Sequence, residues 1–372
     1  MIKVLNILSD TNVGGAGRLL VNYLHNFDRT KFDVHTVLPK DSALKPYIEA
    51  EGYSVFEIEH GRDKSLDFRA IGEIKRIIRE LRPDIVHTHS SFSGKLAAYL
   101  CRVPRRFYTR HSAFAPPRYL TSFPGRQING FINNTLATDI VAVAKAAADN
   151  MTDTGVDPEK ITVIINGSEE VRRTSEAEQT ELKRSLSIPD TAFVCGISAR
   201  LEPYKGHSYL LESAREVIAE HSDTVFLIIG DGSRKNELVA QAKSLGIENK
   251  VRFIGFVSDV APYYNIMDLN LNCSWGTETS CLALSEGMSL SLPAVATTYG
   301  GNPYMITDGV NGLLVPERDS HAIAESILCL IRDSELCRIL SRGARQMYEE
   351  KFTAAKMTRQ LGSLYEKSMA RI

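Results

Sequence analysis

The sequence predicts an α/β protein built from two doubly wound parallel-sheet units. Three observations carry this prediction. Short β-branched runs alternate with longer stretches of helical period almost from end to end, the pattern of parallel strands covered by helices on both faces. A polar stretch without strand signal, Ser168–Asp190, separates two such series. The length of 372 residues, with 43% hydrophobic and 24% charged, suits two ordinary globular domains.

In the first series the expected strands are Val4–Leu8, Asp33–Leu38, Ile85–His87, Phe107–Thr109, Ile140–Val143 and Thr162–Ile165. Between them, Asp67–Arg82 places Phe68, Ile71, Ile74, Ile78 and Leu81 at three- and four-residue spacing, with Arg69, Lys75, Arg76 and Arg79 on the other face, and stops before Pro83. The second series offers Phe193–Ile197, Val225–Ile229, Val251–Ile254, Leu269–Asn272, Ala294–Thr297 and Gly312–Val315. Helical pattern then fills the end of the chain over Ala322–Arg332, Glu335–Glu350 and from Ala354 onward. The boundaries that follow are a first domain over 1–170, a linker over 171–190, a second domain over 191–353 and a terminal helix over 354–372.

Composition excludes several classes of function. With 44 basic and 45 acidic residues there is no global electrostatic reason to expect nucleic acid as a partner. The six cysteines contain no C-x-x-C pair and read as buried thiols of a reducing compartment. No signal-like leader opens the chain and no apolar run reaches the roughly 20 residues that span a bilayer, so a cytoplasmic protein is expected.

Glycine and charge clusters follow the strands. Gly14-Gly15-Ala16-Gly17 lies between the first strand and an apolar helix, where backbone N–H groups can meet an anion or a sugar hydroxyl, or simply turn the chain. Arg200-Leu201-Glu202-Pro203-Tyr204-Lys205-Gly206 follows the first strand of the second unit. Ligands of open α/β sheets bind beyond the carboxyl ends of the strands, so two cations there can neutralise a diphosphate; two solvated surface charges are the plain alternative. Farther on, Glu278 and Glu286 would lie about 12 Å apart if one helix held both, a spacing suited to two ends of an elongated ligand. A helix cap and a solvated carboxylate are again the alternative.

The order of these and other motifs resembles the retaining glycosyltransferases of family 4. The resemblance runs through Gly14-Gly15-Ala16, His87-Thr88-His89, Arg110-His111, Ile164-Ile165-Asn166-Gly167, Arg200 with Lys205-Gly206, and Gly230-Asp231-Gly232. It continues through Phe253-Ile254-Gly255, Glu278 with Glu286, Gly300-Gly301-Asn302-Pro303, and Asp308-Gly309-Val310-Asn311-Gly312-Leu313-Leu314-Val315. It implies a GT-B fold, two Rossmann-like domains facing across a cleft, with the terminal helix crossing back to the first domain.

It also implies site residues. Arg200 and Lys205 would hold a donor diphosphate, Glu286 the ribose, and Glu278 the transferred sugar. Backbone N–H groups of Thr279, Ser280, Cys281 and the Gly300-Gly301-Asn302 loop would help, with Gly14, Gly15, Gly232 and Tyr304 beside the donor. His111 would face the reacting sugar, with His89 and Arg110 on the acceptor side. No metal and no separate cofactor are implied, and the leaving phosphate would draw the acceptor proton on the same face. UDP-sugar is the favoured donor, and an envelope glycan, exopolysaccharide or lipid-linked precursor the acceptor.

Four positions depart from the family pattern: Thr279, Tyr304, Ala144 and Ser168-Glu169. Those at Thr279 and Tyr304 leave open a non-catalytic sugar-nucleotide-binding protein, against which the retained Arg200, Lys205, Glu278 and Glu286 argue. The glycine-rich turns alone would also fit an NAD-dependent oxidoreductase, but the end of the second strand, Leu38-Pro39-Lys40-Asp41, offers only a poorly placed Asp41 for a ribose. Finally, Cys101–Gln127 carries six arginines, five aromatic residues and no acidic one, a composition that fits peripheral contact with an anionic membrane or a phosphorylated lipid carrier; Phe107 and Tyr108 as strand core with solvated arginines are the plain alternative.

Overall fold

Seven parallel strands organise the first half of the computed structural model: β1 (Ile2–Leu8), β2 (Phe32–Pro39), β3 (Ser54–Ile58), β4 (Ile85–His89), β5 (Arg105–Arg110), β6 (Asp139–Ala142) and β7 (Ile161–Val163). Six more organise the second: β8 (Phe193–Ser198), β9 (Thr224–Ile229), β10 (Val251–Gly255), β11 (Leu269–Asn272), β12 (Ala294–Thr297) and β13 (Gly312–Val315). The structure describes residues 1–371, and Ile372, the last residue of the expected terminal helix, lies outside them.

The strand orders are β3-β2-β1-β4-β5-β6-β7 and β10-β9-β8-β11-β12-β13. In each sheet the order reverses beside the first strand, between β1 and β4 and between β8 and β11. The crevice at that reversal, beyond the strand carboxyl ends, is where such sheets hold ligands. Central strands are apolar on both faces because helices cover both. In β1, Val4, Leu5, Ile7 and Leu8 are all buried, and the register Val4↔Ile85 to Leu8↔His89 brings its end level with His89.

The chain divides into two units, Met1–Gly167 with the C-terminal helix, and Ser168–Thr353. That helix, Ala354–Met369, sends Met357, Leu361 and Tyr365 into the cluster that holds Leu20, Leu24, Phe32 and Phe107. Two expectations need correction. The span 171–190 is no linker: Val171 and Ile188 are buried in the second unit's core, and the helix Glu176–Ser185 opens on a capping box between Ser175 and Glu178. The strand Ser54–Ile58 was not expected; it is an edge strand whose Ser54 and Glu57 face solvent, so it lacks the run of apolar residues that marks a central strand.

Candidate active site

In the second unit the candidate residues gather beyond β8 and β11. The loop after β8 is held by the buried Leu201, whose N–H donates to Asp231 O at 3.0 Å and whose carbonyl accepts from Arg234 N at 3.0 Å, so the Gly232 turn lies against it. A short 3-10 turn, Pro203–Lys205, ends at Gly206 with φ 74°. A Cβ on Gly206 would stand 1.9 Å from the Cys273 carbonyl oxygen. Only glycine allows this approach, and it delivers Lys205 to the end of β11.

There the Lys205 ammonium meets Glu278. Nζ donates to Glu278 Oε2 at 2.8 Å, and the same oxygen accepts from Asn272 Nδ2 at 3.2 Å and Ser274 Oγ at 2.9 Å. Burial opposes the charge on Glu278, whose residue is 7% exposed, but Lys205 and the two neutral donors outweigh it and hold the carboxyl below its ordinary range. Burial likewise opposes the Lys205 charge, and Glu278 reverses it, raising the ammonium above its ordinary value. A buried ion pair, its Glu278 Oε2 accepting three hydrogen bonds, therefore stands at the switch point of the sheet.

Arg200 lies at the solvent side of the same loop, its Nη2 donating to Tyr204 Oη at 2.8 Å. Tyr204 is fixed in turn, since its carbonyl accepts from Trp275 N at 2.9 Å. Trp275 itself lies under Arg318, whose guanidinium stands 3.9 Å from the ring centroid.

Glu278 and Glu286 do not share a helix. Glu278 sits in the loop before the helix Leu282–Ser289, and Glu286 lies on that helix, half-buried and next to Tyr264. The 12 Å helical spacing inferred from sequence does not apply.

The Gly300-Gly301 turn packs on the Glu278 loop: a Cβ on Gly301 would fall 1.2 Å from the Thr279 carbonyl oxygen. The N–H groups of Gly301 and Asn302 donate to Glu278 O and Tyr299 O, each at 3.2 Å, and the Cys281 N–H to Met305 Sδ at 3.1 Å. Those three N–H groups thus hold the loop together. The Asn302 side chain is buried and donates to Asn272 Oδ1 at 3.3 Å and Thr297 Oγ1 at 3.2 Å. Tyr304 is exposed, Ser280 buried and Thr279 half-buried. Burial and the nearby Glu278 push the Cys281 thiol up to about 12.

In the first unit the residues gather beyond β1 and β4. Gly14 and Gly15 open the helix Gly15–His25, exposed, with no side chain capping it and open space where a Cβ would stand. His87 and His89 alternate onto one face of β4 and stack with centroids 4.3 Å apart; His111, just past β5, stacks on His89 at 5.2 Å. His89 Nδ1 and His111 Nε2 share a proton bridge of 3.0 Å. His87 is bracketed by Tyr365 Oη and by Thr109 Oγ1.

Burial disfavours imidazolium at all three. His87 falls to about 3, with His111 adding to the effect, and His111 to about 4, with Arg110 adding to it; His89 lies well below its ordinary value. The column is uncharged at neutral pH. Arg110 is turned back on its own loop, Nε donating to Ser112 O at 3.1 Å.

The basic and aromatic run Cys101–Gln127 splits in two. Phe107 and Tyr108 are buried in β5, and Arg106 donates to the carbonyls of Val103, Thr135 and Leu136, so this half is structural. In the other half, from Phe114 on, no residue is buried.

Sequence reading missed Asn272 and Ser274, which fix Glu278. Their signal is weak: two polar residues at the end of a strand, where a buried carboxylate needs donors. Among the described residues no three His, Cys, Asp or Glu side chains form a group that could hold a metal, and no helix is long and apolar enough to cross a membrane.

Residues 13–170 match the family model described as Glycosyltransferase Family 4, and residues 178–347 the one described as Glycosyl transferases group 1. The UDP-Gal:alpha-D-GlcNAc-diphosphoundecaprenol alpha-1,3-galactosyltransferase of Escherichia coli is 24% identical, over 98% of this chain and 96% of the relative. The N-acetyl-alpha-D-glucosaminyl L-malate synthase of Bacillus anthracis is 25% identical, over 84% of this chain and 81% of the relative. Among solved structures, Anabaena HepE in complex with UDP-glucose superposes with a TM-score of 0.85 at 22% identity, over 99% of this chain and 100% of that one.

Proposed function

Because the chain belongs to glycosyltransferase family 4 and has the GT-B architecture, we propose that it moves a hexose-type sugar from a UDP-sugar to a hydroxyl acceptor, in the cytoplasm, with retention at the anomeric carbon and without a metal. The acceptor is an envelope polysaccharide, an exopolysaccharide or the lipid-linked precursor of one. The observation that carries this reading is the buried Lys205–Glu278 pair, with Arg200 on the same loop, at the switch point of the second sheet.

The chemistry follows from charge. When the bond from the sugar to the diphosphate breaks, negative charge grows on the leaving oxygen. Lys205 is already oriented by Glu278, so it stabilises that charge without reorganising, and Arg200 closes on it from the solvent side. Glu278, kept ionised, accepts hydrogen bonds from the sugar hydroxyls, and Glu286 from the ribose. The acceptor hydroxyl bonds to the anomeric carbon on the face the diphosphate leaves, and its proton passes to the departing phosphate oxygen. His111 contributes as a neutral hydrogen-bonding group, because its pKa of about 4 keeps it uncharged.

Support for the donor is the UDP-Gal named for the Escherichia coli relative and the UDP-glucose bound to HepE. The test is a thermal-shift panel of UDP, GDP, ADP, their sugar conjugates and NADH, each with and without EDTA. Stabilisation by the UDP series, unchanged by EDTA, is expected. A response to NADH alone overturns the reading, and a proton NMR spectrum showing an inverted anomeric centre in the product overturns retention.

A further inference from the structure

We propose that ordered water under the helix Gly15–His25, held by Asn6, Thr36 and Tyr23, donates to His89 Nε2 and thereby fixes the tautomer of His111. The residues meet on one face of the first sheet. The register sets Asn6 between Thr36 of β2 and His87 of β4. Alternation puts Asn6 on the face of Val4 and Leu8, and Thr36 on that of Val34 and Leu38, all in the cluster this helix covers. Tyr23 comes down from the helix and stacks on His89, with centroids 6.2 Å apart.

Each of these four residues is at most 2% exposed. Yet Asn6 Oδ1 and Nδ2, Thr36 Oγ1, Tyr23 Oη and His89 Nε2 have no hydrogen-bond partner among the described residues. Buried polar groups are costly to leave unpaired, and proteins rarely do so. Tyr53, under the same helix, shows the ordinary outcome: its hydroxyl donates to Leu24 O at 2.9 Å. Where side chains cannot reach one another, buried water making about three hydrogen bonds is the usual partner.

The supply of hydrogens sets the direction. Asn6 Nδ2, Thr36 Oγ1 and Tyr23 Oη bring more hydrogens than Asn6 Oδ1 alone can take, so His89 Nε2 serves the network as a bare acceptor. His89 and His111 are neutral, with one N–H each. With Nε2 bare, the proton of His89 is on Nδ1, where it donates to His111 Nε2 at 3.0 Å. His111 then carries its own proton on Nδ1. His87 does not compete, since its nitrogens are bonded to Tyr365 and Thr109. Asn6, Thr36 and Tyr23 are thus positioning residues that act on His111 through His89. The consequence for turnover rests on the proposed function; the tautomer does not.

Long-range nitrogen–hydrogen NMR of the full chain at neutral pH tests it, with nitrogen-15 in histidine and asparagine and with His89→Gln and His111→Gln to assign the signals. A protonated Nδ1 and a bare Nε2 are expected at both residues, with cross-peaks from water to the Asn6 side-chain amide. Tyr23→Phe keeps the stacked ring and Asn6→Leu removes the amide. Each should mix the His111 tautomers, drawing its two nitrogen shifts together, and Tyr23→Phe should lower kcat several-fold with the donor KM unchanged. Tyr53→Phe should leave His111 as it is. A His111 proton on Nε2 in the parent chain overturns the proposal, as does an Asn6 amide without water contact. Unmoved His111 signals in both Tyr23→Phe and Asn6→Leu overturn it too, and so does an equal shift in Tyr53→Phe, which would mean only a loosened helix. The spectra need no substrate, so the expected tautomer in a chain that transfers no sugar supports this inference and counts against the proposed function alone.

Discussion

A lysine and a glutamate that neutralise each other inside a protein are tied together in stability as well as in chemistry, and Lys205 and Glu278 can be separated on both counts. Lys205→Ala leaves the Glu278 carboxylate buried without its cation, a loss of about 3–5 kcal/mol in unfolding free energy, and lowers kcat by about 100-fold or more. Adding Glu278→Gln should restore much of the stability, read by denaturant unfolding, and none of the turnover. Arg200 is exposed, so Arg200→Ala should cost a similar factor in kcat while the unfolding curve stays in place. The three histidines make a pH prediction. The unfolded chain takes up protons near 6.5, whereas folded His87 resists them until about 3 and His111 until about 4. More protons are then bound unfolded than folded, so stability is complete above 6.5 and falls as the pH drops below it, by about 2 kcal/mol at pH 5 for His87. Melting from pH 7 to 5 checks this, and His87→Gln should flatten the slope. Arg200, Lys205 and Glu278 were legible because charged residues after strands stand out. Asn272 and Ser274 were not, since what they do depends on a glutamate several residues away folding back over them.

At the scale of elements, the loops beyond β8, β11 and β12 lean on one another through glycines, and the site depends on that contact. Gly301→Ala forces its new methyl into the Thr279 carbonyl, so the Glu278 loop must shift. A fall in kcat of tenfold or more is expected, with a loss of several kcal/mol in unfolding free energy. Gly14→Ala meets open space and should leave the unfolding free energy within about 0.5 kcal/mol. A melt of both variants side by side checks the contrast. Central strands were readable because burial on both faces writes a nearly continuous apolar run, as in Val4–Leu8, where Asn6 alone interrupts it. The helix Glu176–Ser185 was misjudged for the opposite reason: none of its residues is buried, so no apolar stripe announces it, although Ser175 and Glu178 spell a capping box. The basic and aromatic run from Cys101 was half-seen. Composition flagged the arginines and rings, and the expected strand Phe107–Thr109 already set two of the rings apart; the fold buries Phe107 and Tyr108 and leaves Phe123 and Phe131 exposed.

At the scale of the whole molecule, the first unit is discontinuous in sequence: it is finished by a helix that arrives after the second unit has been made. Tyr365 is the center of that closure. It is fully buried, its ring meets Phe107 edge-on at 4.8 Å and Phe32 at 6.0 Å, and its hydroxyl bonds to His87, the innermost imidazole of the candidate site. Periodicity in the sequence gave this segment a helical face, but which core the face enters is a long-range fact that no local pattern carries. The consequence is measurable. Tyr365→Ala opens a cavity among aromatic rings, and a loss of about 3–5 kcal/mol is expected in the first unit. Hydrogen exchange read by mass spectrometry should show β1, β4 and β5 losing protection while β8 and β11 keep theirs. Tyr365→Phe keeps the ring and removes only the hydroxyl, so protection should be retained except at the end of β4 that holds His87. His87 then loses a partner in a buried site, a penalty of about 1–3 kcal/mol that the same exchange experiment would locate at the His87 end of β4. Equal loss of protection in both sheets after Tyr365→Ala would mean that the helix holds up the whole chain rather than the unit it completes.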